Sequence, residues 1–195
     1  MFSIRKMQSM VVASAALCCF AASVSAADQN VTYTAFGIFA TPPVSGEDVF
    51  FLAGEPFKIT FVVNEAKKPT RYTETAAEYT DIWVKATTRE SALGLVEIYD
   101  GPANLFLVVG SPNQPDWIFV NFPYPVAEDT VIFTAKIRMP AGTIATPAIR
   151  PFTAPVTLTP SDGVLTYACP KCAAPWTGHS TTLGIAEGTL TATAP

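Results

Sequence analysis

The feature that most constrains the fold is a series of short apolar runs, separated by Pro, Gly, Asn and Asp. In the clearest run, residues 130–139, the alternate positions are apolar: Val131, Phe133, Ala135, Ile137 and Met139. Polar or charged side chains occupy positions between them, among which are Thr134, Lys136 and Arg138. A period of two is typical of a β-strand that is buried on one face only. We therefore predict that the five apolar residues line the core from a central strand.

Similar runs recur along the chain, and turn residues divide them. The chain has 17 Pro and 11 Gly, and after the first 26 residues we find no convincing helical spacing. The turn chemistry of Asp100-Gly101-Pro102 predicts the end of one strand, and Pro123 and Pro125 predict the end of another. The spacing predicts an all-β fold of eight to ten short strands in an antiparallel two-sheet β-sandwich, immunoglobulin-like or jelly-roll-like. A barrel is the alternative.

The first residues have the three zones of a secretory signal. Arg5 and Lys6 provide positive charge, residues 11–24 are apolar or small, and Val24-Ser25-Ala26 offers small residues to a signal peptidase. We predict a signal helix in a signal peptide of residues 1–26, a single β-sandwich domain of residues 27–195, and a secreted or periplasmic location. Lipid attachment at Cys18 is the alternative, but Leu17 is not the small residue that attachment needs.

The charge balance argues against two classes of partner. The chain carries 12 basic and 16 acidic residues, and the predicted signal removes two of the basic ones. Nucleic-acid binding depends mainly on Lys and Arg that neutralise phosphates, and anionic lipid surfaces attract basic segments. We therefore expect neither a nucleic acid nor a membrane as the partner of the mature chain.

The pair Cys169-Pro170-Lys171-Cys172 is the most specific chemical motif, and it admits three interpretations. In an exported chain we expect Cys169 and Cys172 to form a disulfide. A metal site with His179 as a third ligand is the alternative, although a closed zinc site needs four ligands. A redox dithiol is the third, but such motifs begin a helix after a strand, and Pro175 discourages one here.

Trp83 is the residue that could contact a ligand. It shares a predicted strand face with Asp81 and Lys85, opposite Ile82 and Val84. An exposed tryptophan on a sheet can stack on a sugar ring. The alternative is that Trp83 packs under the loop of residues 66–78, or that its strand is buried on both faces, since large aromatics usually contribute to the core.

The other two tryptophans are expected to have structural roles. Trp117 lies in a continuous apolar run and is predicted to be in the core. Trp176 follows the cysteine pair, so we expect it to cap that loop.

Groups that would support catalysis do not form a recognisable set. The one histidine, His179, has no nucleophile in a known setting, and the adjacent acids Glu128 and Asp129 would point to opposite faces of a strand. No phosphate-binding loop, dinucleotide fingerprint or calcium loop is present. We predict a chain that is not an enzyme and needs no cofactor, with a secreted hydrolase that uses unrecognised acids as an alternative.

The layout resembles small secreted bacterial all-β proteins of unassigned function. The resemblance lies in Gly54-Glu55-Pro56-Phe57 before a strand, in residues 139–144, and in residues 188–193 at the end. It implies export and a β fold, and it brings no activity. The sequence therefore predicts an exported binding, adhesion or interaction module whose partner is a protein or a glycan, with a carbohydrate-binding module as the named alternative.

Overall fold

The computed structural model describes residues 30–90, 94–126, 129–168 and 180–194, and in these ranges it contains ten strands and no helix. The predicted signal peptide, and with it the predicted signal helix, lies outside the described residues. The strands are β1 Asn30–Phe39, β2 Pro56–Asn64, β3 Arg71–Tyr72, β4 Ala76–Glu90, β5 Gly94–Val108, β6 Asp116–Val126, β7 Asp129–Met139, β8 Val156–Leu158, β9 Gly163–Ala168 and β10 Ser180–Thr193.

The strands close into a barrel, so the predicted two-sheet sandwich is wrong and only its all-β character is confirmed. Eight strands follow one another in the antiparallel order β1-β2-β4-β5-β6-β7-β9-β10. β10 then pairs with β1, from Thr32 opposite Thr193 to Phe39 opposite Ile185. In a sandwich, the chain passes between two separate sheets. Here the long strands form a single sheet in which each one pairs with the long strands before and after it in the chain. β3 and β8 are short additions that pair with β4 and β10.

The interior is a packed core. As predicted for residues 130–139, alternate side chains of β7 from Val131 to Met139 are buried, at 3% exposure or less. Phe133 lies in an aromatic cluster, with its ring parallel to that of Phe122 at 5.3 Å between centroids and 5.4 Å from that of Tyr167. Eight-stranded barrels are just wide enough for side chains to fill.

Two connections cover the ends of the barrel, and we call the end where β1 begins the lower end. Residues 40–55, the upper cap, insert Phe50, whose ring lies 4.9 Å from that of Tyr167. Asp48 fixes this cap, because its carboxylate accepts hydrogen bonds from the Ala53 N–H at 2.6 Å and from the Tyr167 hydroxyl at 2.9 Å.

Residues 140–155, the lower cap, cross the other end. The Ile144 N–H donates to the buried carboxylate of Asp116 at 2.8 Å. The hydroxyl of Tyr33 donates to the Arg150 carbonyl at 2.9 Å and accepts from the Arg150 N–H at 3.1 Å. Further along, the Tyr79 hydroxyl donates to the carbonyl of Pro147 at 3.1 Å. The lower cap is therefore attached by hydrogen bonds to its backbone and by the buried side chains of Ile144 and Ile149.

The described part of the wall has a seam between the upper parts of β5 and β6. Their ladder ends at Asn104 opposite Asn121, although both strands continue upward. The β6–β7 ladder continues past Pro123 and Pro125. The ring nitrogens of these prolines must therefore face β5, because a nitrogen that faced β7 would lack the N–H that this ladder needs. By the same reasoning, Pro102 faces β6, because it lies within the β4–β5 ladder. Extension of the register would oppose Pro102 to Pro123, and neither has an N–H to donate.

The same prolines explain two wrong strand ends. Asp100-Gly101-Pro102 was predicted to be a turn, but β5 passes through it. Pro123 and Pro125 were predicted to terminate a strand, but β6 continues to Val126. A proline ends a strand only where its missing N–H would have joined the ladder, and at the seam no ladder is interrupted. The ring of Tyr99 closes the gap instead, stacked on Phe122 at 5.1 Å.

Candidate functional site

Trp83 lies on the outer wall of the barrel, on β4, and 55% of its surface is exposed. Its neighbours Ile82 and Val84 point inward and are buried. The predicted division of β4 into two faces is therefore confirmed, and the alternative that buries Trp83 is wrong. Phe51 and Tyr72 are exposed as well, and Trp83 carries the largest ring of the three.

A carboxylate on the next strand holds the indole ring in place. The Trp83 Nε1–H donates to Asp100 Oδ1 at 2.6 Å, and Lys85 Nζ lies 3.3 Å from Asp100 Oδ2. Lys85 and Asp100 are directly opposite each other in the β4–β5 register. Both oxygens of one carboxylate are thus engaged, one by the ring that it orients and one by the ammonium group beside that ring.

Sequence reasoning identified Lys85 and missed Asp100. Asp100 was assigned to a turn, and only the register of β4 against β5 brings it to Trp83. A signal was available, since an acid 15 residues after a lysine suits a cross-strand pair in a long hairpin. The hairpin itself was hidden by the adjacent Gly101-Pro102.

Asp81 agrees in its exposure with the predicted outer face of β4, and its part in ligand contact stays a prediction. It is exposed, but it lies in a β-bulge, where the pairing with β5 shifts between Tyr79 and Ile82. Its φ of 54° is left-handed, and its carbonyl accepts a hydrogen bond from Lys67 Nζ at 3.1 Å. Exposed Asp81, Trp83 and Lys85 still alternate with buried Ile82 and Val84, and the bulge adds its extra residue to β4 between Tyr79 and Ile82.

The surroundings of Trp83 combine apolar and hydroxyl-bearing residues. Val62 of β2 and Pro102 of β5 lie opposite Trp83 on its two sides. The adjacent row continues from Lys85 to Thr60 and then to Thr34, whose Oγ1 atoms are 3.5 Å apart. These hydroxyl groups lie one row above Trp83 in the wall, on the β2 and β1 side.

Trp117 is on the outer wall as well, so its predicted place in the core is wrong. The run of residues 117–122 is apolar at most positions. The sequence pattern therefore could not decide which set of alternate side chains points inward. Ile118 and Val120 take the interior. The Trp117 ring carries Lys136 Nζ at 4.3 Å from its centroid, a cation–π contact that covers one face. Trp117 thus differs from Trp83, whose described polar contact is made at the ring edge.

The remaining predicted site residues lie outside the described residues. These are Cys169, Cys172 and His179, with Trp176 between them. The predicted disulfide and the alternative metal site therefore stay predictions. Within the ranges that the structure does describe, no three His, Cys, Asp or Glu side chains come together as metal ligands. The same described ranges contain no helix with the length and hydrophobicity of a membrane span.

Buried ionisable groups inside the barrel serve the architecture. Burial raises the pKa of Tyr33 to about 12 and that of Tyr167 to about 12, so both hydroxyls remain protonated donors at neutral pH. Asp116, which has no exposed surface, accepts backbone hydrogen bonds from Gly110 at 2.7 Å and from Ile144 at 2.8 Å. These groups hold the caps and the turn between β5 and β6.

Comparison of the chain with protein-family models, with curated proteins and with solved structures finds no match in any of the three. A functional assignment therefore depends on the chemistry of the chain's own residues.

Proposed function

We propose that the protein is an exported, non-catalytic binding protein that holds a carbohydrate against Trp83 on the outer wall of the barrel. The observation that carries this proposal is the exposed indole ring whose orientation is fixed by Asp100. Export is the expectation from the first 26 residues.

The ring supplies the apolar half of such a site. One face of a pyranose ring presents C–H groups, and a tryptophan offers them a large flat surface with little side-chain entropy to lose. The hydrogen bond to Asp100 removes most of the remaining rotation of the Trp83 ring before a ligand arrives. Preorganisation of this kind lowers the entropic cost of binding.

The polar half of the site lies around the ring. A carboxylate has about four acceptor positions, and Asp100 uses two of them for Trp83 and Lys85. Sugar hydroxyls can donate to the remaining positions, and the hydroxyls of Thr60 and Thr34 continue the polar surface. A few placed polar groups beside an apolar surface are what orient small ligands in binding sites.

A protein partner is the second candidate, because tryptophan is enriched at the centres of protein interfaces. The apolar neighbours Val62 and Pro102 favour it. The two candidates differ in the ligand alone, so one set of variants tests both.

The test is a glycan array on the protein without residues 1–26, followed by calorimetric titration of the saccharides that bind. Trp83→Ala should abolish binding and leave the melting temperature almost unchanged, because the ring is exposed. Trp117→Ala is the matched control, since it removes an outer-wall tryptophan that Lys136 covers, and binding should persist. Saccharide binding that survives Trp83→Ala contradicts the proposal, as does turnover of ester, glycoside or peptide substrates that is lost on changing a single acid.

A further inference from the structure

The upper cap holds the side chain of Phe51 out into solvent. Its ring is 83% exposed, and its backbone is left-handed, with a φ of 53°. A positive φ is an outlier for a bulky residue, because the Cβ atom comes too close to the following carbonyl oxygen. Residues held in such conformations cluster at functional sites and ligand clamps, so Phe51 is a candidate for a contact outside its own barrel.

The surrounding turn keeps Phe51 in this position. The Phe51 N–H donates to the Asp48 carbonyl at 3.2 Å, and the Asp48 carboxylate accepts from the Ala53 N–H at 2.6 Å. The preceding residue, Phe50, packs its ring into the barrel, 5.6 Å from that of Phe133. The Phe51 ring is therefore presented from a fixed turn, and little backbone entropy would be lost when it binds.

An open, mostly apolar groove of about 500 Å³ lies along β8, β10, β1 and β2 on the outer wall. Phe36 and Ile38 line it, with 46% and 38% of their surface exposed, and Gly37 and Gly188 contribute backbone alone. An engineered cavity of about 150 Å³ holds benzene, so this groove has room for a phenyl ring and the chain that carries it. Such a ring would remove exposed apolar surface of Phe36 and Ile38 from water.

The charges around the two surfaces are complementary in one orientation. The upper cap, residues 40–55, has no basic residue, and Glu47 and Glu55 flank the turn that presents the ring. On the wall, Lys58 is exposed on the β1–β2 side of the groove, and Glu187 lies on its β10 side. A cap that enters with its acids towards Lys58 and away from Glu187 therefore meets opposite charge.

We propose that the protein associates with itself, with the Phe51 ring of one copy in the groove between Phe36 and Ile38 of another. Each copy carries both halves of this contact. Two copies can therefore exchange a pair of equivalent contacts, as in the two-fold dimers that are the commonest oligomers. The contact includes neither Trp83 nor Asp100, so self-association and ligand binding at Trp83 are tested separately.

The test is sedimentation equilibrium of the purified protein over a range of concentrations, with thermal melting in dilute solution. The average mass should rise with concentration towards that of two chains. Phe51→Gly should weaken association at least about tenfold, because it removes the aromatic anchor. Glycine accepts a left-handed backbone, so this variant should melt no lower than the parent protein. Tyr72→Ser removes another exposed ring, outside the cap and the groove, and is the control that should leave association unchanged.

Further variants identify the groove as the other half of the contact. Phe36→Ser should weaken association as Phe51→Gly does, and a mixture of these two variants should associate more tightly than either alone, since one complete contact forms between them. Lys58→Glu should weaken association several-fold, and Glu187→Lys should strengthen it. A protein that stays monomeric at millimolar concentration, association that survives Phe51→Gly, a lower melting temperature of that variant, a mixture no tighter than its components, or the same response to both charge reversals would overturn the proposal.

Discussion

Gly37 of β1 lies directly opposite Gly188 of β10, where the strands are so close that a Cβ atom on Gly37 would stand 2.1 Å from the carbonyl oxygen of Glu187. The barrel is closed by this pairing, and the close approach leaves no room for a side chain. Backbone, rather than a flexible side-chain end, would have to move to admit one.

Gly37→Ala should therefore destabilise the protein by about 2–3 kcal/mol through overpacking at the β1–β10 pairing. Thr189→Ala, on the neighbouring half-buried position of β10, is the control and should change stability by no more than about 0.5 kcal/mol. Urea unfolding of both variants measures the difference. A Gly37→Ala variant as stable as the control would mean that the strands separate there without loss.

Loss of the buried Asp116 carboxylate should be more damaging. Asp116→Ala leaves the N–H groups of Gly110 and Ile144 without their acceptor, and each buried unsatisfied donor costs about 1–3 kcal/mol. We expect a total of roughly 2–6 kcal/mol in urea unfolding. Asp81→Asn removes an exposed charge and suits the left-handed backbone at that position, so it should be close to neutral. Equal effects of the two changes would contradict a structural role for Asp116.

The two faces of β7 should respond differently to truncation. Phe133→Ala removes a fully buried ring from the aromatic cluster and should cost about 3–5 kcal/mol. Lys136→Ala would be neutral if the side chain were only solvated, but its contact with the Trp117 ring raises the expected loss to about 0.5–1 kcal/mol. Thermal and urea unfolding measure both, and similar losses would mean that the faces are wrongly assigned.

Alkaline pH should weaken the fold through the buried tyrosines. The pKa of Tyr33 and of Tyr167 is about 12 in the folded state, against 10.0 for an ordinary tyrosine. Between pH 10 and pH 12, each of these tyrosine hydroxyls is deprotonated in the unfolded chain and still protonated in the folded chain. The free energy of unfolding that is present below pH 10 therefore falls as the pH rises towards 12. At about 1.4 kcal/mol per pH unit, each tyrosine contributes roughly 2–3 kcal/mol to the loss.

Tyr33→Phe is the variant that checks this pH dependence. It should lower stability at pH 7 by about 1 kcal/mol, because the hydrogen bonds to the Arg150 backbone are lost, and it should flatten the fall above pH 10. Urea midpoints measured from pH 8 to pH 11.5 separate the two effects. An unchanged alkaline slope would show that Tyr33 does not carry this dependence.

Local patterns predicted the strands and their faces well. The alternation along β7 gave its buried residues, and the division of β4 exposed Trp83 while Ile82 and Val84 face the core. These features depend on neighbours two residues apart, where the period of a strand acts directly. Closure of the barrel depends instead on Thr32 meeting Thr193 across the whole chain, and a local pattern is the same in a sandwich and in a barrel.

The candidate site was predictable only in part for a related reason. Trp83 and Lys85 share one strand face, which alternation reveals, but Asp100 joins them through cross-strand register. Asp81 is exposed as the alternation predicted, and its role in ligand contact stays a prediction. Trp117 was misplaced because both faces of its strand are apolar, so periodicity carried no information about which face is inside.

The proline-lined seam between β5 and β6 has a consequence for hydrogen exchange and for aggregation. Above Pro102, β5 has a ladder with β4 and none with β6, so its amide protons should exchange through local opening long before those of β7, which is paired on both sides. Such an opening would ordinarily uncover strand edges on which another chain could pair. Here Pro102, Pro123 and Pro125 have ring carbons in place of the N–H donors of the two strand edges. When β5 and β6 separate, these edges therefore present no regular template for intermolecular sheet growth.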